Sequence, residues 1–237
     1  MSTPSLPVPP TAADSRRIVV VNGGTSDPSS SRMLAGRIAQ KTSDRLREQG
    51  IDATTAVIEL GPLAGEIAHA IVSGYPQEEL LTAIESLAAA DGVIVATPVY
   101  KAGISGLFKS FVDILDNDLL IAKPVVLSAT AGTARHALVV DDQLRPLFAF
   151  MRALPTPTSV FAAPEDWADP GFAGRIDRAA AELAALVASD VGAAITGKVW
   201  GRYQHSFGGT VRPDTDSDVI DFDTDLMRLA TGGAAAR

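Results

Sequence analysis

The sequence predicts an α/β fold in which helices cover both faces of a doubly wound, five-stranded parallel sheet. Short runs rich in valine and isoleucine alternate with longer segments of helical periodicity, and these runs are almost continuously apolar. Strands of that kind are buried on both faces, as in parallel sheets. Right-handed crossovers then place helices alternately above and below the sheet. A chain of 237 residues, 46% of them hydrophobic, suits one such domain rather than two.

Strands and helices alternate from residue 16 onward. In the first half, the pattern predicts strands at 18–21, 53–58 and 92–97, with helices from about 31 to 49 and from 77 to 90. In the second half, it predicts helices at 104–116, near 137–153 and at 172–189, with strands at 125–129 and 159–162 between them. The strict alternation of the two element types supports the parallel sheet.

The two ends of the chain lack this alternation. Residues 1–15 are rich in Pro, Ser, Thr and Ala, and we expect a disordered leader before a domain that spans 16–189. Residues 190–237 are rich in Gly and Asp, and we expect a mostly disordered tail. Trp200, Tyr203 and Phe207 leave room for a short docking segment in this tail, because a pure linker would not need aromatic residues.

Composition excludes several classes of function. The net charge of −8 offers no basic face for a phosphate backbone, so nucleic-acid binding is not expected. The chain has no cysteine, and His69, His136 and His205 lie too far apart in sequence to suggest a metal site. The opening residues do not read as a signal peptide, and no run approaches the roughly 18 apolar residues of a membrane span. We therefore expect a cytoplasmic protein without membrane contact.

The loop after the first predicted strand, Asn22 to Arg32, has the composition of an anion site. Two glycines, the second of them Gly24, permit close approach of the backbone. Five hydroxyl residues then lead into a helix: Thr25, Ser26, Ser29, Ser30 and Ser31. Backbone amides and the positive end of the helix dipole at such a start favour a terminal phosphate. A flexible turn with one capping serine is the alternative, but it accounts for a single hydroxyl.

The same loop favours a mononucleotide over a dinucleotide or ATP. It lacks the GxGxxG pattern, and no acid follows it in a position to hold a ribose. ATP would normally require a lysine and a magnesium ligand, whereas only Arg32 adds fixed positive charge here. FMN, whose phosphate can be bound by hydroxyl and amide donors, fits this composition best.

The loops after the third and fourth predicted strands bring small and aromatic residues to the same edge of the sheet. The third strand runs into TPVYKAGISG, in which Pro98 fixes the backbone and Tyr100 offers a face for a flat ring. An ordinary loop with a core tyrosine and a solvated Lys101 is the alternative. After the fourth strand, Gly132 and Thr133 place free amides at a helix start.

Three segments together resemble a known family. TPVYKAGISGLFKSFVDIL, the serine-rich loop before it and AGTARHALVVDDQLRPLFAFMRA after it are similar to the NAD(P)H-dependent FMN reductases, especially the flavin reductases of alkanesulfonate utilisation. The likeness extends from about residue 16 to 187. It implies a flavodoxin-like fold, FMN as the flavin, and NADH or NADPH as the hydride donor. No catalytic side chain is then expected, because hydride passes between the two cofactors.

The resemblance also assigns residues to the flavin. It implies that Thr25, Ser26, Ser29 and Ser31 bind the phosphate, that Pro98, Val99, Tyr100 and Lys101 meet the ring system, and that Gly132 and Thr133 flank it. Gly24 and Arg32 complete the expected set of cofactor-binding residues.

Partners and rival functions follow from the same resemblance. Reduced flavin is expected to pass to a flavin-dependent monooxygenase or another acceptor, and the chain is expected to form a homodimer or homotetramer. Apolar residues in 108–115 and 147–154 exceed what one sheet face requires, which supports an oligomer. A quinone or azo reductase that keeps FMN bound and a non-enzymatic flavodoxin-like electron carrier stay open at this point.

Overall fold

The computed structural model describes residues 15–197, so the predicted leader, apart from Ser15, and the tail from 198 onward lie outside the described residues. The central strands are β1 (Ser15–Asn22), β2 (Asp52–Glu59) and β3 (Gly92–Tyr100), followed by the two-residue strand β4 (Gly103–Ile104) and by β5 (Pro124–Thr130). The edge strands are β6 (Leu154–Pro155) and β7 (Val160–Ala162). The parallel order β2-β1-β3-β5-β6 is that of flavodoxin-like folds, with the reversal between β1 and β3.

The edge position beyond β5 differs from the single strand predicted at 159–162. β6 and β7 both pair with β5, one near its start and one near its end. From Pro155 to Val160 the edge chain advances five residues, while its partner advances only three, from Val125 to Ser128. The two additional residues interrupt the ladder, and Pro157, which has no amide hydrogen, lies in the interruption.

Seven α-helices lie within residues 15–197. They are α1 (Ser30–Glu48), α2 (Ala64–Ser73), α3 (Glu78–Ala88), α4 (Gly106–Asp113), α5 (Arg145–Phe150), α6 (Pro170–Ala188) and α7 (Val191–Ile195). Helices α1 and α6 cover one face of the sheet, where Ile18 and Val20 are buried. Helices α2 to α5 cover the other, where Val19 and Val21 are buried. Burial on both faces explains why the strand runs are continuously apolar.

Three helical segments depart from the sequence prediction. Helix α2 was not predicted, and α7 occupies the start of the segment expected to be disordered. The single helix predicted near 137–153 is instead a 3-10 turn (Ala134–His136), a π-helical turn (Val140–Leu144) and α5. Pro146 lies in the first turn of α5. Its ring would clash with the carbonyl four residues earlier in a regular α-helix, which is why the preceding turn is wider.

The apolar surface expected to support an oligomer is only partly present. In the segment 108–115, Phe108, Phe111 and Leu115 are buried in the core, so this part of the argument was wrong. Phe150 and Leu138 are 67% and 69% exposed, and they leave apolar surface on the other segment and beside it. Within the described residues, none of the helices has the length and apolar character needed to cross a bilayer.

Candidate functional site

The first loop leaves β1 and enters α1 through two close backbone contacts. The amide of Gly23 donates to the carbonyl of Ala96 on β3 at 2.8 Å. A Cβ at Gly24 would overlap the hydroxyl oxygen of Ser29. The loop therefore folds back on its own start, and a side chain at position 24 would have to displace that hydroxyl.

Ser29 caps α1 and leaves several amides without a partner. Its hydroxyl accepts from the amide of Arg32 at 3.2 Å, as an N-cap side chain does. The amides of Thr25, Ser26, Ser30 and Ser31 donate to no residue in the described range 15–197. Unpaired amides at the positive end of a 19-residue helix form an anion-binding environment.

Ser31 is bound to the fourth-strand segment as well as to the first loop. Its hydroxyl oxygen lies 2.7 Å from that of Thr130 at the end of β5, and the two residues are 2% and 6% exposed. In such a pair only one hydroxyl hydrogen is used, so one remains for a ligand. Ser31 thus has a structural contact that its sequence context did not indicate.

The three predicted loops meet around one cleft of about 240 Å³. Its lining consists of Gly24, Ser26, Ser29, Ser30, Ser31, Pro98, Val99, Tyr100, Thr130, Ala131, Gly132 and Pro164. Hydroxyls and backbone lie at the α1 end, and apolar and aromatic side chains lie at the β3 end. Residues from all three predicted loops therefore come together, although more than a hundred positions separate the first from the last.

The segment after Thr97 is a β-hairpin, not the loop predicted from sequence. Val99 and Tyr100 pair with Ile104 and Gly103, and the two connecting residues, Lys101 and Ala102, have φ angles of 51° and 65°. Positive φ at both positions suits the twist of a two-residue hairpin, but without glycine it costs on the order of 1–2 kcal/mol per residue. Tyr100 is 50% exposed, with its ring available beside the cleft.

Gln143, in the π-helical turn, holds this hairpin by both ends of its side-chain amide. Its Oε1 accepts from the amide of Ile104 at 3.0 Å, and its Nε2 donates to the carbonyl of Ala102 at 3.2 Å. The clamp stabilises the strained connection. Sequence reasoning missed Gln143, because nothing in the surrounding pattern signals a contact 39 residues away.

Two predicted residues lie at the margins of the cleft instead of in its lining. Lys101 is exposed at the tip of the hairpin, and Thr133 is exposed just before the 3-10 turn. Thr133 follows Gly132, where an added Cβ would meet nothing within 4 Å. Neither side chain is positioned by a hydrogen bond to another residue in the described range 15–197.

A second cleft of about 610 Å³ adjoins the first and shares Gly24, Ser26 and Ser29 with it. Thr25 and Arg32 line this second cleft, so the structure places them on the outer side of the first loop. Asn22 and Glu59 line it too.

Glu59 is an acid beside the first loop that sequence reasoning did not identify. It ends β2, beside β1, and its Oε1 accepts from Nε of Arg32 at 2.6 Å. Its Oε2 accepts from Nδ2 of Asn22 at 2.6 Å. Both carboxylate oxygens are therefore already in use. Glu59 escaped sequence reasoning because the neighbour of β1 is known only from the strand order.

The described residues do not form a metal site. No group of three or more histidine, aspartate and glutamate side chains in residues 15–197 is arranged to hold a metal ion.

Comparison with known proteins gives one family and consistent relatives. Residues 16–168 match the family described as NADPH-dependent FMN reductase. Over 151 residues the chain is 36% identical to FMN reductase (NADPH) of Pseudomonas aeruginosa, a match that covers 64% of this chain and 78% of that protein. Over 152 residues it is 38% identical to NADH-dependent FMN reductase SfnE of Pseudomonas putida, covering 64% and 79%.

Among solved structures, the fold is similar to that of an oxidoreductase from Corynebacterium diphtheriae. The two chains superpose with a TM-score of 0.72 and are 42% identical. The superposition covers 74% of this chain and 98% of the other.

Proposed function

The chain belongs to the NADPH-dependent FMN reductase family, and from this premise we propose that it binds FMN in the cleft at the carboxyl edge of the sheet. The protein is an NAD(P)H-dependent FMN reductase, with NADH or NADPH as the electron donor. A quinone or azo reductase that keeps FMN bound and a non-enzymatic electron carrier are not favoured, since relatives at 36% and 38% identity are named for FMN reduction.

The observation that carries the flavin site is the set of unpaired donors around the first loop. The amides of Thr25, Ser26, Ser30 and Ser31 have no acceptor in the described range, and the hydroxyl of Ser29 lies beside them. Ser31 is buried, Ser29 is half-buried, and Thr25, Ser26 and Ser30 are exposed, so these donors converge at a place that an acceptor group with several oxygens can reach from solvent. A phosphate supplies one, and the end of α1 favours its charge.

The ring system is assigned to the other end of the cleft. Pro98, Val99 and Tyr100 form an apolar and aromatic wall, and Lys101 lies at its rim. Gly132 lines the opposite side and Thr133 lies at its margin, and the amides of both residues donate to no residue in the described part of the chain. We assign these amides to polar atoms of the flavin ring.

Bound FMN supplies N5 of its ring as the acceptor of a hydride from nicotinamide C4. The protein's part is to orient the two cofactors and to limit access of water. The hairpin held by Gln143 fixes the wall on which the ring would lie. The loop from Asn22 to Arg32, which we call the phosphate turn, would fix the position of the ring along that wall. The exposed face of Tyr100 leaves the side on which a nicotinamide can approach.

The reduced flavin is proposed to leave for a second enzyme, a flavin-dependent monooxygenase. Its support is the resemblance to flavin reductases of alkanesulfonate utilisation, together with a cleft that opens to solvent at Tyr100. A homodimer or homotetramer is proposed as well, supported by the exposed side chains of Leu138 and Phe150. Light scattering at micromolar concentration measures the mass directly.

The function is tested by nicotinamide oxidation. Purified protein is mixed with NADH or NADPH and with FMN, with riboflavin, or with a quinone and no flavin, and the nicotinamide absorbance is followed. We expect turnover that requires added flavin and saturates with FMN. Turnover with the quinone alone would favour the bound-flavin reductase, and no oxidation under any condition would exclude the reductase.

A further inference from the structure

Glu59 holds the one cationic side chain that lines either cleft within residues 15–197. The ion pair between Arg32 Nε and Glu59 Oε1 measures 2.6 Å, and the two side chains are 41% and 40% exposed. An arginine in this position would otherwise be the natural bidentate partner of a phosphate. The carboxylate therefore cancels the charge that the phosphate turn could offer to an anion.

The same carboxylate is connected to the backbone of the turn. Its second oxygen accepts from Nδ2 of Asn22, and Oδ1 of Asn22 accepts from the amide of Gly24 at 3.1 Å. Arg32, Glu59, Asn22 and Gly24 thus form a chain of hydrogen bonds behind the turn. The guanidinium is thus positioned by the carboxylate at the end of β2.

We infer that Glu59 sets the affinity of the phosphate turn, keeping it low enough for FMN to exchange as a substrate instead of remaining as a prosthetic group. The inference rests on the proposed FMN site. A dianionic phosphate beside Arg32 alone gains a favourable Coulomb interaction, whereas beside the pair it meets almost no net charge. Binding then depends on the hydroxyls and amides of the turn.

A purely structural role for Glu59 makes a different prediction. If Glu59 only connects β2 to α1, its loss should weaken the binding of every flavin or of none. Charge cancellation predicts instead that its loss tightens the binding of phosphorylated flavins alone. In Glu59→Gln the side chain is neutral and has one acceptor oxygen in place of two, so it no longer cancels the positive charge of Arg32.

The experiment is a pair of titrations of the flavin-free protein by fluorescence quenching, one with FMN and one with riboflavin. In Glu59→Gln we expect FMN to bind about 5- to 20-fold more tightly, with riboflavin within about twofold of the wild type. The matched control is Asp177→Asn. Arg45 and Asp177 form a 2.6 Å pair with exposures of 37% and 39%, which joins α1 to α6. This control changes the net charge equally, and neither flavin should respond.

A double-mutant cycle separates charge from loop geometry. The gain in Glu59→Gln should disappear when Arg32→Gln is added, because the guanidinium whose charge is no longer cancelled is what binds the phosphate. It should also shrink with added salt, as interactions of partly exposed charges do. A gain that survives the loss of Arg32 would overturn the inference.

The outcomes are distinct. Selective tightening of FMN that requires Arg32 supports the inference; an unchanged or weaker FMN affinity in folded Glu59→Gln, or equal tightening of riboflavin, overturns it. If that variant does not fold, the wild type decides. Its FMN affinity should change by less than about twofold between low and moderate salt, and a steep fall would show that Arg32 already binds the phosphate. Failure of the proposed function would appear differently, as a wild type that binds neither flavin.

Discussion

The two edges of the sheet carry cavities of opposite chemical character. The carboxyl edge receives the start of α1, where amides are unpaired, and its first cleft measures about 240 Å³. The amino edge receives the end of α3, where carbonyls have no helical partner, and its cavity measures about 450 Å³. Parallel strands joined by helical crossovers collect amides at one edge and carbonyls at the other.

At the amino edge, polar groups are paired with other groups of the same protein. Nζ of Lys123 donates to the carbonyls of Ala88 and Ala90 at 2.8 and 2.9 Å. Arg16 lies 3.6 and 3.5 Å from the carboxylates of Asp91 and Asp190. The amino-edge cavity is therefore lined by groups that already have partners, and the first cleft at the carboxyl edge by groups that lack them. Unused donors distinguish a binding site from a packing gap in this fold.

The largest expected effect is at Gly24. In Gly24→Ala the new methyl would displace the hydroxyl of Ser29, which removes both the helix cap and a donor of the phosphate turn. We expect FMN affinity to fall about 100-fold, measured by fluorescence quenching. Gly106→Ala, where the added Cβ meets nothing within 4 Å, is the control and should bind FMN normally. Normal binding by both variants would refute the position of the phosphate.

A smaller loss is expected when hydroxyls are removed without a clash. Replacing Ser29 and Ser31 by alanine removes two donors to a charged group, and FMN affinity should fall tenfold or more while riboflavin affinity stays the same. The contacts of these serines in the structure predict that the same variant also has a lower free energy of unfolding. The cap contributes about 1 kcal/mol, and the hydroxyl of Thr130 loses its partner at a further cost of about 1–3 kcal/mol.

Chemical denaturation separates these two effects. Ser31→Ala combined with Thr130→Val removes both members of the buried pair and should recover part of the stability, but not the FMN affinity. Equal losses for FMN and riboflavin in the serine variant would place the phosphate elsewhere.

Gln143 tests the two ends of the first cleft separately, because it supports the hairpin at the proposed ring site and not the proposed phosphate site. In Gln143→Leu the hairpin loses both of its side-chain hydrogen bonds, and Lys101 and Ala102 can relax from positive φ. We expect FMN and riboflavin affinities to fall together by about 3- to 10-fold, equivalent to about one hydrogen bond. Gln143→Glu keeps the acceptor for the amide of Ile104, so its flavin affinities should lie between those of the wild type and those of Gln143→Leu. A selective loss of FMN would assign Gln143 to the phosphate end instead.

The amino edge should respond in stability alone. Lys123→Met leaves the carbonyls of Ala88 and Ala90 unpaired and should lower the free energy of unfolding by about 1–3 kcal/mol, with both flavin affinities unchanged. A change in flavin affinity would show that the two edges are coupled.

The difference in the free energy of unfolding between the wild type and Lys123→Met should depend on pH in a definite direction. Burial lowers the pKa of Lys123 from its ordinary value of 10.5, and the nearby Asp91 opposes the shift. The unfolded chain therefore binds more protons than the folded one between the lowered pKa and 10.5, so stability rises with pH across that window. The stability difference between wild type and Lys123→Met should grow as the pH is raised toward 10.5, and a difference that shrinks would contradict the burial of the charge.

The smallest effect is expected from the end of the chain. The fold closes with α6 and the short α7, so we propose that a protein truncated after Gly197 keeps both its flavin affinities and its reductase rate. Loss of activity in a folded truncated protein would show that Trp200, Tyr203 or Phe207 contributes to the site or to the assembly.

The central strands and most of the helices could be predicted from the sequence because buried residues follow a pattern that is characteristic of each type of element. The runs of β1 and β3 are apolar over 18–21 and 92–96, and the run of β5 contains one polar residue, Ser128. The serine-rich loop indicates the start of α1. Helix α2 was missed because its apolar residues are not confined to one face. Ile67 is buried, whereas Ile71 and Val72 are 52% and 88% exposed.

The composition of the three loops was likewise enough to predict that they meet at one edge of the sheet, since each loop follows a strand and parallel strands end at one edge. Lys101 and Thr133 nevertheless lie at the margins of the cleft. What composition left open was which of their polar groups are free. Ser31 is shared with Thr130, Arg32 is held by Glu59, and the strained hairpin is clamped by Gln143.

Only the tertiary structure decided these pairings, because each joins residues 27 to 99 positions apart whose contact depends on strand order and register. A periodic pattern reports whether a residue is buried and says nothing about what it meets. The sequence by itself thus determined the type of fold and the chemistry of its loops. The order β2-β1-β3-β5 determined that a glutamate from one strand neutralises the arginine beside the next.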